Sequence, residues 1–157
     1  MGKTQFASWQ VRAQAEIERR DRLARMTDAG IPAFKQRYWD DPAGFVRDCI
    51  RHKDGEGATD YQADILARIP EQRRVAVRGP HGLGKTAMAA WAVLWFALTR
   101  EGEDWKAPMT ASAWRQLSKF LLPEIHKWVR RLRWDVIGRP PFSERVELLD
   151  LSIKLRT

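Results

Sequence analysis

One short run, Gly79-Pro80-His81-Gly82-Leu83-Gly84-Lys85-Thr86, constrains this chain more than any other feature, because it matches the phosphate-binding pattern G-x-x-x-x-G-K-[ST]. Its glycines at positions 79, 82 and 84 allow the backbone to take a positive φ and to approach a phosphate without a Cβ. We expect Lys85 to reach the β and γ phosphates and the Thr86 hydroxyl to hold Mg²⁺. The N-terminus of the following helix would add a partial positive charge. The motif therefore predicts a site for a nucleoside triphosphate and Mg²⁺.

A loop of this kind follows a strand and opens a helix. Residues 73–78 contain Val75 and Val77 and predict the strand, whereas residues 85–100 are apolar nearly all round and predict a buried helix. A second strand is predicted over 105–110, at an edge because of Pro108, and one or two more over 144–156. The predicted fold class is α/β, a P-loop domain with a parallel sheet that this chain builds only in part, preceded by a helical N-terminal segment.

The N-terminal half is predicted to be helical. Residues 7–27 lack Gly and Pro and predict a solvated helix, and Gly30-Ile31-Pro32 predicts a break after it. Asp41 before Pro42 predicts the start of a helix that runs to residue 51. Thr59 or Asp60 would cap the next helix, which ends at Pro70. The predicted domains are a helical segment over 1–58 and a partial P-loop ATPase domain over 59–157.

The segment after residue 112 predicts a further helix, kinked or split at Pro123. Its apolar face is formed by Trp114, Leu117, Leu121, Ile125, Trp128 and Leu132. The chain has eight tryptophans, which could stack on bases. Because Trp91, Trp95, Trp114 and Trp128 fall at helical spacing, we interpret them as core residues.

Net charge, cysteine content and the length of the apolar segments limit the classes of protein to which this chain can belong. The 157 residues carry a net charge of +8, which suits a partner rich in phosphates but does not by itself identify one. Cys49 is the sole cysteine, so an internal disulfide is impossible and a Cys-His zinc site is absent. The apolar run 87–98 is too short to cross a bilayer, and the N-terminus has no secretion signal. These features predict a cytoplasmic protein that does not associate with membranes.

Several segments together resemble a known family. Residues 60–62, 78–96, 109–117 and 120–125 are similar to the start of the ATPase domain of terminase large subunits from tailed bacteriophages. The resemblance covers roughly residues 40–157 and implies a motor that hydrolyses ATP with Mg²⁺ and moves double-stranded viral DNA into a capsid. It also implies partners, namely the capsid portal and the small terminase subunit, a homo-oligomeric motor, and the cytoplasm of a bacterial host.

The resemblance assigns roles near the loop. Gln62, beside Tyr61, matches the glutamine that recognises adenine, since a side-chain amide offers both a donor and an acceptor. The alternative is a solvated helix residue. Arg78 matches an arginine that stabilises charge on the γ phosphate, although in this family that arginine usually lies inside the loop. His81 is interpreted as a variable loop residue.

Further along, Thr110, Ser112 and Gln116 match a segment that faces the active site or the nucleic acid in terminases and related helicases. Without that likeness we interpret them as turn and capping residues. A hydrolysing motor also needs an apolar strand that ends in acidic residues, and the sequence offers only Asp150 after a weak strand pattern. We therefore expect an incomplete piece of a longer chain, an ATPase only as part of the full-length protein.

Three other functions fit the same residues. A helicase-like nucleic-acid translocase would use the segment around Thr110 in the same way. A basic regulatory module would bind nucleotide through Lys85 without turning it over. A small-molecule P-loop kinase fits the length but lacks an evident lid of arginines.

Overall fold

Helices provide the regular secondary structure of the residues that the computed structural model describes, namely 30–53, 56–72 and 74–141. In chain order they are α1 (30–38), α2 (Pro42–Cys49), α3 (Asp60–Arg68), α4 (Lys85–Thr99), α5 (Trp114–Gln116), a π-helix (Leu117–Leu121), α6 (Leu122–Val129) and α7 (Trp134–Ile137). The predicted helix over 7–27 and the predicted strands over 144–156 lie outside the described residues. In the described ranges, no helix combines the length and the apolar character needed to cross a bilayer.

The predicted parallel sheet is wrong for the described part of the chain. Residues 74–80 and 104–111 form no strand, and the β-type pairing found in these ranges is a single antiparallel bridge between Ile50 and Leu132. A strand exists only where a neighbour completes its hydrogen-bond ladder, and β-branched residues do not supply that neighbour. Val75 and Val77 are each 37% exposed instead of buried between layers. They line an open apolar groove of about 370 Å³ beside α3 and α4.

Gly30, Ile31 and Pro32 are helical residues of α1, whereas the residues before them, on which the predicted break depends, lie outside the described ranges. Packing overrides the low helix propensity of glycine and proline at these positions. Phe34 and Tyr38 are one helical turn apart and both are buried, with ring centroids 5.3 Å apart. Burial of this aromatic pair gives α1 an apolar face toward the core.

The predicted starts of α2 and α3 are confirmed. Asp41 caps α2, with its Oδ1 accepting a hydrogen bond of 2.7 Å from the backbone N–H of Gly44, and Pro42 follows at the first helical position. Thr59 is the N-cap of α3. These boundaries could be predicted because a cap depends only on residues within one turn.

The predicted buried helix is confirmed as α4, which lies at the centre of the core. Its buried residues include Trp91, Leu94, Trp95 and Leu98. The Trp95 indole donates to the backbone carbonyl of Tyr38 at 2.6 Å, which ties α4 to α1. α4 also packs against α2, α3 and α6, and the glycine-rich loop ends at its N-terminus.

Pro123 splits the third predicted helix, as expected, but the split takes the form of a π-helix. The Leu122 backbone N–H bonds to the Leu117 carbonyl, five residues back, just before the proline that lacks a donor. Trp128 is buried at 5% exposure, as predicted. Trp114 is 54% exposed, so its interpretation as a core residue is wrong. The reason is that the π-helix adds an extra residue to the turn and shifts the helical register between these two tryptophans.

Candidate phosphate-binding site

The glycine-rich loop joins residues 74–78 to α4. Gly82 and Gly84 have φ values of 87° and 71°, as the motif predicts, and Gly84 is the N-cap of α4. These are left-handed conformations that side-chain-bearing residues rarely adopt. Gly79 is not among the glycines with positive φ; a Cβ there would lie 2.8 Å from the Leu83 Cδ1 atom. Conformation therefore requires glycine at two of the three positions, whereas at Gly79 a Cβ would meet only the end of the exposed Leu83 side chain.

Lys85 is the first residue of α4, and its side chain folds back along the loop. Its ammonium nitrogen donates to the carbonyl oxygens of Gly79 at 2.8 Å and Pro80 at 2.5 Å. The cationic group is thus held over the loop instead of extending into solvent. A phosphate bound at this loop would meet that charge directly, and hydrogen bonds between an ammonium and a phosphate are about twice as strong as neutral ones.

Within the described ranges, no side chain caps the N-terminus of α4, and the first turn of this helix contains no acidic residue. Its first backbone N–H groups and the helix dipole are therefore available to an anion. Thr86, in this first turn, is exposed. Among the described residues no cluster of three His, Cys, Asp or Glu could hold a metal ion.

Gln62 lies beside the loop on α3 and is only 5% exposed. Its Oε1 accepts a hydrogen bond of 2.9 Å from the backbone N–H of Thr59, and its Nε2 donates to the carbonyls of Leu83 at 3.3 Å and Gly84 at 3.4 Å. The alternative of a solvated helix residue is therefore excluded. The adjacent Tyr61 is 37% exposed.

The remaining predicted site residues are at the surface. Arg78 and His81 are exposed, and no hydrogen bond or ion pair within the described ranges involves either one. Thr110, Ser112 and Gln116 are exposed as well, and the Ser112 hydroxyl lies 3.4 Å from Gln116 Oε1. This local contact fits their interpretation as turn and capping residues. The structure thus places Gln62 of α3 beside Gly84 and Lys85 at the start of α4.

Shifted pKa values occur away from the loop, around α2. Burial raises the pKa of the Cys49 thiol to about 12, and burial also raises the pKa of Tyr38. The hydrogen bond from Arg47 lowers the pKa of Asp48. Perturbed pKa values often accompany catalytic sites, but these three groups belong to the packing of α1 against α2.

Sequence reasoning missed the connection between Gln62 and the loop. The sequence does contain a signal for the hydrogen bond between Gln62 and Thr59, because Thr59-Asp60-Tyr61-Gln62 matches the capping pattern [ST]-x-x-[EQ]. That pattern predicts that Gln62 Oε1 accepts a hydrogen bond from the backbone N–H of Thr59. No local pattern predicts the contacts to Leu83 and Gly84, which lie more than twenty residues away.

Comparisons with protein-family models, with curated proteins and with solved structures found no match to this chain.

Proposed function

We propose that this chain is the nucleotide-binding portion of a DNA-packaging motor of the terminase type, in which ATP binds at residues 79–86. The observation that carries the proposal is the position of Lys85, which is held over a loop with two left-handed glycines at an uncapped helix N-terminus. The proposal depends on this chemistry and on the resemblance of the surrounding segments. It does not depend on a parallel sheet.

The loop's own residues would bind the triphosphate in complementary ways. Backbone N–H groups at the start of α4 donate to phosphate oxygens, and Lys85 neutralises part of their charge. Gly82 and Gly84 allow the backbone to turn toward the phosphates without a Cβ. Mg²⁺, when bound with the nucleotide, would neutralise further charge, with the Thr86 hydroxyl among its ligands. Arg78, exposed just before the loop, is proposed to stabilise charge on the γ phosphate.

Charge supports duplex DNA as the second ligand of the motor. Between Trp114 and Ile137 the sequence has six Lys and Arg residues but two Asp and Glu residues. The side chains of Lys119 and Arg130 are exposed there, and no ion pair involves either one within the described ranges. Exposed cations of this kind contribute sequence-independent contacts to phosphates. Portal, small-subunit and self-association contacts are proposed on the family resemblance alone.

Isothermal titration of the full chain with ATP and Mg²⁺ tests the proposal. Lys85→Ala removes charge-assisted hydrogen bonds worth about 1.5–3 kcal/mol, so ATP affinity should fall roughly 10- to 100-fold. Lys106→Ala, a substitution of an exposed lysine outside the loop, is the matched control and should bind as the unsubstituted chain does. Equal ATP affinity in the Lys85 variant and the unsubstituted chain would contradict the proposal.

A further inference from the structure

The side-chain amide of Gln62 lies between two backbone segments, one that donates a hydrogen bond to its oxygen and one that accepts hydrogen bonds from its nitrogen. Gln62 lies in the first turn of α3, where its oxygen accepts from the Thr59 N–H at 2.9 Å. Its nitrogen faces the loop, 3.3 Å from the Leu83 carbonyl oxygen and 3.4 Å from the Gly84 carbonyl oxygen. Because the residue is 5% exposed, these polar atoms depend on protein partners for their hydrogen bonds. Only an amide side chain offers both the acceptor and the donors required.

The contacts to the two carbonyls constrain the loop's peptide planes. All the described peptide bonds are trans, so the N–H of each peptide points opposite to its C=O. Gln62 holds the Leu83 carbonyl toward α3, so the Gly84 N–H must point away from α3. The Gly84 carbonyl accepts from Gln62 and also from the Met88 N–H of α4 at 3.0 Å, so Gln62 and the helix together orient the Lys85 N–H. These N–H groups stand at the start of α4, where an anion would bind.

Gly84 leaves room for the Gln62 side chain because it has no Cβ. A Cβ at that position would lie 2.6 Å from Gln62 Nε2, closer than real Cβ atoms approach any neighbour. Glycine at this position therefore serves two purposes, the positive φ of 71° and the space that Gln62 occupies.

We propose that Gln62 is a positioning residue for the phosphate loop. It helps to orient the N–H groups of Gly84 and Lys85 toward the bound phosphates, so its contribution to affinity is the same whichever base the nucleotide carries. The inference rests on the proposed nucleotide-binding function. It differs from adenine recognition, because the amide that would read the base is engaged by Thr59, Leu83 and Gly84.

Gln62→Glu separates this role from helix capping. Glutamate keeps the acceptor for the Thr59 N–H and is equally suited to the capping pattern, so α3 should be retained. It replaces the donor with an oxygen that faces two carbonyl oxygens, which removes the contact to the loop. Gln62→Met, which keeps the side-chain length without donor or acceptor, is a second variant should the first fail to fold. Gln72→Glu, at an exposed position after α3, controls for the added charge.

The experiment measures the affinity of each full-length variant for ATP, GTP and inorganic triphosphate. If Gln62 positions the loop, both Gln62 variants should lose about tenfold in affinity for all three ligands alike, at a temperature where each variant is folded. In Gln62→Glu, which keeps the acceptor for the Thr59 N–H, hydrogen exchange without ligand should rise in residues 79–88 and stay unchanged in α3. Gln72→Glu should match the unsubstituted chain in every measurement.

Two results overturn the inference and a third overturns the proposed function. A loss confined to ATP, with triphosphate binding intact, would assign Gln62 to the base. Unchanged binding in the Gln62 variants, together with a loss in Lys85→Ala, would leave the proposed function standing and refute the positioning role. Equal binding of ATP by Lys85→Ala and the unsubstituted chain would refute the proposed function, and the positioning role with it.

Discussion

Gly30 and Gly138 lie directly against each other, so that a Cβ built on Gly30 would be 2.6 Å from the Cα of Gly138. The contact joins α1 to the residue that ends α7. Gly138 has a φ of 78° and caps α7 in the left-handed conformation. Two distant segments therefore meet through backbone atoms alone.

This contact predicts that Gly30→Ala destabilises the protein. Alanine is the better helix former by about 1 kcal/mol, so propensity alone predicts stabilisation. The added Cβ would meet backbone, which cannot rotate away, and overpacking of this kind typically costs about 1–3 kcal/mol. Urea unfolding should show a lower free energy of unfolding for Gly30→Ala. Gly57→Ala, where a Cβ would meet nothing within 4 Å, should be close to neutral. A gain in stability for Gly30→Ala would contradict the packing.

Trp128 and Trp114 test which tryptophans belong to the core. Trp128 is buried, packs edge to face on Trp91 at a centroid distance of 5.0 Å, and donates to Glu124 at 2.7 Å. Trp128→Ala should lower the free energy of unfolding by about 3–5 kcal/mol. Trp114→Ala, at an exposed position, should change it by less than about 0.5 kcal/mol. Similar losses for the two variants in urea unfolding would show that Trp114 is also packed.

The helices were predictable from sequence where local rules decide them. Asp41 and Pro42 mark the start of α2 because capping and proline preference act within one turn. The helix α4 was predictable because residues 85–100 are apolar nearly all round, which is typical of a buried helix. The sheet was predicted wrongly for the described residues, since Val75 and Val77 have strand propensity but a strand also needs a partner.

We expect the Asp48 carboxylate to make a contribution to the free energy of unfolding that depends on pH. Its carboxylate accepts from Arg47 at 2.9 Å and from Tyr38 at 3.1 Å, and the Arg47 bond holds its pKa below the usual value. A lowered folded-state pKa means that the stabilisation is complete above the ordinary aspartate pKa of about 3.9 and is lost as pH falls below it. Asp48→Asn should therefore cost about 0.5–1 kcal/mol at neutral pH, reduced by solvent screening.

The cost should disappear as the solution is acidified, because both proteins then carry a neutral side chain at this position. Urea unfolding at neutral and acidic pH measures it. Asp64→Asn, which breaks only the exposed ion pair with Arg68, should cost less at neutral pH. A cost for Asp48→Asn that is the same at both pH values would contradict the role of the charge.

The candidate site was predictable in part. Gly82, Gly84 and Lys85 follow from a motif whose chemistry is local, and Gly82 and Gly84 have the positive φ that the motif predicts. The contact between Gln62 and the loop was not predictable, since it depends on how α3 packs beside α4.

Amide hydrogen exchange of the full chain, with and without ATP and Mg²⁺, tests most directly whether residues 79–86 bind the nucleotide. Bound phosphate would engage the loop's N–H groups, so exchange in residues 79–88 should slow on addition of ATP. The same protection should appear in the control Lys106→Ala and be lost in Lys85→Ala. ATP that binds with protection elsewhere, or that protects the loop of Lys85→Ala equally, would contradict the assignment of this loop as the nucleotide site.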